Sequence, residues 1–381
     1  MKTIRFGIIG CGLMGKEFAS AAARWCHLQD MPAKPEIVAI CNRSDKPFPW
    51  FKQHFSTIKQ FTHDYRDILN NDEVDAVYIA LPHHLHEETY VAAIKADKHL
   101  MGEKPFGIDL EANKNILDCM ANHPNVFVRC VSQFPFFPAV QRIGEMIESK
   151  AFGQIIEVRS GFLHSSDLNV NKPINWKRQI EFNGEYGVLG DLGMHACHVP
   201  IRAGWNIGRV HSILSNLVTS RYQDQSRTNK VPCETWDNAS LLIECIDETT
   251  SSTFPWELKT QRIAPGEKNS WYIEILGTKQ SARYNTANPK QLLLLNSDEA
   301  NQTWKACQTG FETAYPTITG PIFEFGFTDA ILQMWAAFIY ELSERTTPNH
   351  FSGCVRPEET ATSHRIFTEA LRPMPMHTTA Q

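Results

Sequence analysis

The sequence predicts a two-domain α/β protein, in which a doubly wound parallel sheet precedes an α+β domain with a large, mostly antiparallel open sheet. Three observations predict it. Residues 3–24 contain an apolar strand, a glycine-rich turn and an alanine-rich helix in direct succession. Short apolar strands then alternate with helical segments up to about residue 131, as in a doubly wound sheet. After that point the strands have a period of two and are separated by turn residues, which is typical of antiparallel sheets.

The glycine-rich turn has the pattern G-x-G-x-x-G over residues 10–15, between a strand and a helix. Gly10 permits the tight turn, Gly12 lets a pyrophosphate approach the backbone, and Gly15 lets the helix pack closely on the strand. The free N–H groups at the helix start can hold phosphate charge. We therefore expect a Rossmann dinucleotide site rather than a plain strand-to-helix turn. It would contact the cofactor through Gly10, Gly12, Leu13, Met14 and Gly15.

The second strand, 36–41, ends at Asn42, Arg43 and Ser44, where a Rossmann domain meets the adenine ribose. An acidic residue there binds the 2′-hydroxyl of NAD, whereas an arginine with neutral neighbours suits the 2′-phosphate of NADP. The acidic residue is missing, so we favour NADP over NAD. NAD stays open, because Asn42 can still bond a ribose hydroxyl and Arg43 can stack on adenine.

Two further strands end in polar turns, where open α/β sheets place their ligands. The strand 74–81 leads into a turn with three histidines, which suggests metal but lacks a carboxylate in ligand register. We expect no metal there, and instead a loop that lines the nicotinamide end of the crevice. The residues expected to line it are Leu81, Pro82, His83 and His86.

The strand 99–101 is followed by Gly-Glu-Lys-Pro, so Glu103 and Lys104 also lie at a strand end. Lys104 is a candidate catalytic group, and the alternative is a surface lysine at a turn. We expect both residues to contact the cofactor.

A change of character after residue 131 divides the chain into domains 1–131 and 132–381. The helix at about 357–371 can pack back on the first domain, and 373–381 is expected to be a frayed tail.

The second domain contains a possible acid–histidine pair. If residues 190–203 are helical, Asp191 and His195 share one face, and the carboxylate can orient the imidazole and raise its basicity. The alternative is an ordinary helix-surface pair.

Read together, three stretches resemble the glucose–fructose oxidoreductase/inositol dehydrogenase (Gfo/Idh/MocA) family. They are the glycine turn, the Glu-Lys-Pro at 103–105 and the Asp-x-Gly-x-His at 191–195. The resemblance runs over nearly the whole chain, and it implies a Rossmann domain followed by a domain whose open sheet often mediates dimers or tetramers. It places the family's catalytic lysine, acid and histidine on Lys104, Asp191 and His195.

The chain departs from the family pattern at three positions. His83 stands where the family often has asparagine, Pro135 where an arginine is common, and His198 where an aspartate follows the catalytic histidine. These positions lie near the substrate side, so they bear on substrate identity rather than on the chemistry.

The predicted function is NAD(P)-dependent hydride transfer to or from a secondary hydroxyl of a sugar, cyclitol or related polyol. His195 is the expected general acid/base, Lys104 the donor to the reacting oxygen, and Asp191 the group that orients its partners. The expected substrate contacts are Lys104, Trp176, Lys177, Tyr186, Asp191 and His195. Two alternatives remain open: glycoside cleavage or epimerisation with a retained cofactor, and a non-catalytic sensor or co-regulator.

Bulk properties narrow the partners of the 381-residue chain. The net charge of −5 means that the chain has no excess of positive charge to attract nucleic acid or an anionic membrane. Ten cysteines without a C-x-x-C pair argue against structural zinc and a disulfide framework. The first strand begins by Thr3, which leaves no room for a signal peptide. We therefore expect a cytoplasmic enzyme, a homodimer or homotetramer, whose partner is a small-molecule sugar or polyol.

Overall fold

The N-terminal part of the computed structural model, which describes residues 1–308 and 312–372, is built on a six-stranded sheet. Every neighbouring pair in it is parallel, and the strand order is β3-β2-β1-β4-β5-β6. This order confirms the doubly wound fold. The strands are β1 (Lys2–Ile9), β2 (Ala33–Cys41), β3 (Gln60–Thr62), β4 (Ala76–Ile79), β5 (His99–Gly102) and β6 (Val128–Cys130).

Five helices connect these strands: α1 (Leu13–Ala23), α2 (Phe48–His54), α3 (Tyr65–Leu69), α4 (His86–Lys95) and α5 (Leu110–Ala121). Helix α2 was not predicted from the sequence. It has prolines at its start, where a proline is tolerated because the first N–H groups of a helix have no hydrogen-bond partner within the helix. Apolar side chains of the helices cover both faces of the sheet in two core clusters.

The second sheet has eight strands in the order β16-β15-β14-β13-β7-β12-β11-β8. Only the central β7–β12 pair is parallel, so the predicted mostly antiparallel sheet is confirmed. A separate pair joins β9 and β10. The strands are β7 (Ile155–Leu163), β8 (Asn206–Ser215), β9 (Ser220–Tyr222), β10 (Lys230–Pro232), β11 (Asn238–Asp247), β12 (Ser252–Gln261), β13 (Ser270–Gly277), β14 (Gln280–Asn285), β15 (Leu292–Asn296) and β16 (Lys305–Cys307).

The remaining helices are α6 (Pro138–Glu148), α7 (Ile180–Asn183), α8 (Met194–Arg202), α9 (Phe327–Glu344) and α10 (Pro357–Ala370). Although α9 follows the second sheet in sequence, it packs on the first one. The Trp335 ring stacks on Phe18 of α1 with 3.8 Å between centroids. Helix α10 contacts both α5 and α8, and Thr360 accepts a hydrogen bond from Asn113 at 2.8 Å. Helices α9 and α10, which follow the second sheet in sequence, therefore pack against the first half of the molecule and connect the two halves. The tail expected at residues 373–381 lies outside the described residues.

Among the residues that the structure describes, none of the helices is both long and apolar enough to cross a membrane.

Candidate active site

The glycine turn has the geometry that a dinucleotide requires. Gly10 has φ +100°, and a Cβ there would lie 2.2 Å from the Ala80 carbonyl oxygen. A Cβ on Gly15 would lie 2.3 Å from the Gly10 carbonyl oxygen. A Cβ on Gly12 would meet none of the described atoms within 4 Å, and Gly12 caps α1 without a side-chain bond, so the first N–H groups of the helix are free. The turn therefore fits a pyrophosphate, which needs open space beside a helix start.

The end of β2 is tied to this turn. The Asn42 Oδ1 accepts a hydrogen bond from the Cys11 N–H at 3.3 Å, and its Nδ2 donates to the Ser44 carbonyl at 2.8 Å. The Arg43 side chain is exposed and forms no ion pair with any described residue. Leu13, at the first position of α1, is 74% exposed. This edge of the crevice thus presents one free guanidinium and an apolar side chain.

The histidine turn after β4 is more buried than the sequence suggested. His86 Nδ1 lies 2.7 Å from the Pro105 carbonyl and its Nε2 lies 2.9 Å from the Leu81 carbonyl. Burial lowers the pKa of His86 to about 4, although both carbonyls favour the protonated ring. His86 therefore joins the turns after β4 and β5 and holds them in place. No metal-binding group of three or more His, Cys, Asp or Glu is found within the described ranges.

Lys104 projects from the turn that follows β5. The backbone before it is anchored by Glu103, whose carboxylate accepts the Tyr78 hydroxyl at 2.6 Å and whose carbonyl accepts the Tyr90 hydroxyl at 2.7 Å. The Lys104 ammonium donates to Asp191 Oδ1 at 3.1 Å and also to the Asp191 carbonyl. Lys104 is thus held across the boundary between the two halves of the molecule and is not a surface lysine.

Asp191 is the centre of a buried charge cluster. Its side chain is 1% exposed and contacts three cations: Lys104, Lys177 at 2.6 Å, and Arg262. Burial raises the pKa of the Asp191 carboxyl, but the three cations outweigh it and hold that pKa well below its usual value. Burial lowers the pKa of Lys177 to about 8, a shift that Asp191 partly offsets. Asp191 is therefore an ionised counter-ion at neutral pH.

The segment around His195 is not one continuous α-helix over residues 190–203, which was the condition for the acid–histidine pair. Residues Leu189–Gly193 form a wide π-helical turn, and α8 begins only at Met194. The Asp191 carboxylate binds the three cations Lys104, Lys177 and Arg262. Within the described residues it forms no hydrogen bond with His195. The expected hydrogen bond between the carboxylate and the imidazole is therefore not found, although Asp191 lies in the π-helical turn that leads directly into the helix of His195. π-Helical turns of this kind recur at functional sites.

The His195 ring lies in an apolar pocket. Its Nδ1 is 3.5 Å from the Ser132 hydroxyl, and its centroid is 5.2 Å from that of Phe134 and 5.6 Å from that of Phe162. Burial lowers the pKa of His195 well below its usual value, and the nearby Lys104 ammonium lowers it further. The imidazole is therefore neutral at neutral pH, which is the form that can accept a proton.

The structure brings Trp176 and Lys177 to the cluster and leaves Tyr186 out. The Trp176 ring meets His83 edge-on at 4.8 Å, and Lys177 binds Asp191. Tyr186 is 2% exposed, and its hydroxyl bonds the Thr368 hydroxyl of α10 at 2.7 Å. This burial argues against the expected contact between Tyr186 and the substrate, which stays a prediction.

Arg262, Asp167 and Ser132 were missed by the sequence analysis. Arg262 follows β12, a strand that was not assigned, and it bonds Asp167 at 3.0 Å as well as Asp191. The alternation of buried Phe254, Trp256 and Leu258 with more exposed residues is the signal that identifies β12. No local pattern marks Ser132, which meets His195 only in the fold.

Comparison with known proteins decides the family. A family model described as "Oxidoreductase family, NAD-binding Rossmann fold" matches residues 4–129, and the GFO/IDH/MocA C-terminal domain matches residues 140–283. The chain belongs to the GFO/IDH/MocA oxidoreductase family. The resemblance drawn from the sequence motifs is thereby confirmed, and so is the expectation of an enzyme of the oxidoreductase class.

Individual relatives are similar over most of their length. Levoglucosan dehydrogenase of Pseudarthrobacter phenanthrenivorans is 27% identical over 339 residues, which cover 86% of this chain and 83% of that one. Glucose-6-phosphate 3-dehydrogenase of Bacillus subtilis is 24% identical over 296 residues and 77% of each chain. The structure of levoglucosan dehydrogenase in complex with NADH has a TM-score of 0.82, with 25% identity and 97% of each chain covered.

Proposed function

We propose that this GFO/IDH/MocA oxidoreductase transfers a hydride between a nicotinamide cofactor and a secondary hydroxyl of a sugar, cyclitol or related polyol. The observation that carries the proposal is the ion pair between Lys104, which follows the parallel strand β5, and Asp191 of the second half of the molecule. His195, in its neutral form, lies near this pair. That similar proteins are named dehydrogenases of levoglucosan and glucose 6-phosphate supports the substrate class. The cofactor, when bound, accepts or returns the hydride.

His195 takes the hydroxyl proton in this proposal. In the tautomer whose Nδ1–H donates to the Ser132 hydroxyl, Nε2 carries a lone pair and can accept a proton from the substrate. Burial keeps the ring neutral, so that this lone pair is available. General base catalysis of this kind contributes about 10²–10⁴-fold in rate.

Lys104 holds the oxygen that loses the proton. An ammonium has three N–H donors, and two of them are used by the carbonyl and the carboxylate of Asp191. The third donor is left for the substrate oxygen, where it stabilises alkoxide charge as that charge develops. Asp191 is a positioning residue here, because it fixes the ammonium and does not itself need to change protonation.

The cofactor would be held by the glycine turn, by the ends of β2, β4 and β5, and by Lys104. We further propose a preference for NADP, supported by Arg43 at the end of β2, which is exposed and pairs with no carboxylate of the described residues. Measured KM values for both cofactors test it. The Arg43→Gln variant should raise the KM for NADP and leave that for NAD unchanged, and a wild-type enzyme that prefers NAD contradicts the proposal.

A substrate panel tests the reaction. Sugars, inositols and sugar acids are incubated with NADP or NAD, and the absorbance of the reduced nicotinamide is followed. The proposal expects net cofactor reduction with at least one polyol, and its loss in Lys104→Met but not in Lys95→Met, an exposed lysine of α4. Conversion of a sugar without net cofactor reduction would instead indicate a retained cofactor.

We also propose a cytoplasmic homodimer or homotetramer. All ten cysteines are free thiols and all but Cys26 and Cys307 are buried, which suits a reducing compartment. Ile213 and Leu242 are exposed on the outer face of the eight-stranded sheet, on the neighbouring strands β8 and β11. Light scattering should find an oligomer that Leu242→Glu dissociates, and a monomeric wild type contradicts this.

A further inference from the structure

A second cavity, of about 380 Å³, lies apart from the candidate active site and shares no lining residue with it. It is formed where β6, the C-terminal ends of α8 and α9, and the segment before α10 meet. Its volume falls near the lower end of ligand pockets, which run from about 300 to 1,000 Å³. Four arginines and one histidine line it, against a single carboxylate.

Two of the four arginines build the floor and are already neutralised. Arg129 Nε donates to Glu341 at 2.7 Å. Arg202 donates to both oxygens of Glu359, at 2.9 and 2.7 Å, and two further N–H groups bond the carbonyls of Gly353 and Cys354. These bonds fix the shape of the cavity but leave no net charge from either residue.

The lining carboxylate belongs to Glu341, and both of its oxygens are engaged. One accepts from Arg129, and the other accepts the Cys354 N–H at 2.6 Å. The residue is 3% exposed. An anion in the cavity would therefore meet a carboxylate whose charge and lone pairs are already matched.

The other two arginines, Arg345 and Arg356, make the positive charge around the cavity exceed that of its two nearby carboxylates, Glu341 and Glu359. Arg345 is exposed and has no carboxylate within 4.0 Å among the described residues, and its guanidinium lies 5.5 Å from the Phe127 ring. The Arg356 side chain is 53% exposed and forms a long ion pair, of 3.5 Å, with Glu359, a carboxylate that it shares with Arg202.

We propose that this cavity binds a small anion carrying one or more phosphate groups. The planar guanidinium groups of Arg345 and Arg356 keep N–H donors that bond none of the described residues, and such groups suit the bidentate binding of phosphate oxygens. The two excess positive charges around the cavity match a dianion. Thr346 and Thr347 also line the cavity, and threonine hydroxyls can donate hydrogen bonds to an anion. The cavity shares no lining residue with the proposed hydride-transfer site.

Calorimetric titration of the enzyme with pyrophosphate tests the proposal. The full chain is first saturated with its nicotinamide cofactor, so that the glycine turn is filled, and ionic strength is held constant with sodium chloride. One saturable site is expected. Inorganic phosphate serves as the second probe, and a tighter pyrophosphate complex would indicate a ligand with linked phosphates, whereas equal affinities would indicate a single phosphate group.

Variants locate the site. The double variant Arg345→Gln/Arg356→Gln should weaken pyrophosphate binding at least about tenfold, the loss expected when charge-assisted hydrogen bonds are removed. Arg345→Lys/Arg356→Lys should retain most of the affinity, and Arg365→Gln, an exposed arginine of α10 outside the cavity, should match the wild type. The absence of saturable binding, or equal affinities in the double glutamine variant and the Arg365→Gln control, overturns the proposal.

Discussion

Replacement of Asp191 by asparagine perturbs the charge cluster that joins the two halves of the molecule. The substitution keeps the size of the side chain and removes the one carboxylate shared by Lys104, Lys177 and Arg262. Their side chains are 13%, 30% and 7% exposed, so water cannot replace the lost partner fully. Breaking a buried ion pair on one side costs about 3–5 kcal/mol. We expect a loss of that order in the free energy of unfolding of Asp191→Asn.

The loss should also depend on pH. In the native protein Asp191 opposes the burial that lowers the pKa of Lys177 to about 8, so the variant should lower that pKa further. Lys177 can then escape part of the penalty by losing its proton. The gap between variant and wild type should therefore narrow as the pH rises from 6 toward 8.

Urea unfolding of both proteins at several pH values measures this effect. Asp75→Asn is the matched control, because the Arg5–Asp75 pair is exposed, with side chains 38% and 36% accessible, and such pairs contribute about 1 kcal/mol or less. Equal losses in Asp191→Asn and Asp75→Asn, or a gap that does not change with pH, would refute the description of Asp191 as the buried counter-ion of three cations.

Four further predictions follow from single residues. His195→Ala should lower kcat by about 10²–10⁴-fold with unchanged cofactor affinity in a fluorescence titration, and normal turnover would exclude it as the base. Gly12→Ala should keep the midpoint of thermal unfolding and weaken cofactor binding, whereas Gly15→Ala should lower the midpoint, because of the two only the Cβ at position 15 would meet backbone atoms. A lowered midpoint in Gly12→Ala with unchanged cofactor binding would count against a pyrophosphate at Gly12. Because Lys177 binds its proton more weakly folded than unfolded, wild-type stability should rise relative to Lys177→Met between pH 8 and 10.5, and parallel curves would contradict this. Tyr186→Phe should cost about 1 kcal/mol of stability and leave the substrate KM unchanged, and a raised KM would return Tyr186 to the substrate site.

Features encoded by a short contiguous stretch could be predicted from the sequence. The glycine turn is one, since a strand, three spaced glycines and a helix start lie within 22 residues and each has a local physical reason. The placement of Lys104 at the end of a strand is another, because the carboxyl ends of parallel strands share one edge of the sheet. Both features are found where the sequence placed them.

Features that arise from long-range packing could not be predicted in this way. The π-helical turn at Leu189–Gly193 is a single turn of five residues, too short to show a hydrophobic period that differs from that of an α-helix. Arg262 reaches Asp191 from a strand 71 positions away in sequence, and Ser132 reaches His195 across 63 positions. Tyr186 was expected at the substrate because of its sequence neighbourhood alone. An aromatic residue in a glycine-rich stretch is as typical of a core as of a sugar site. Only the fold distinguishes these cases.

The most direct test of the central claim is a double-mutant cycle between Lys104→Met and His195→Ala, read as the single-turnover rate of cofactor reduction with a polyol substrate. If both side chains act on one hydroxyl oxygen, removal of either disables the unit, and the double variant should lose little more than the worse single variant. Losses that multiply would mean that the two side chains act independently, which would contradict their convergence on the reacting group.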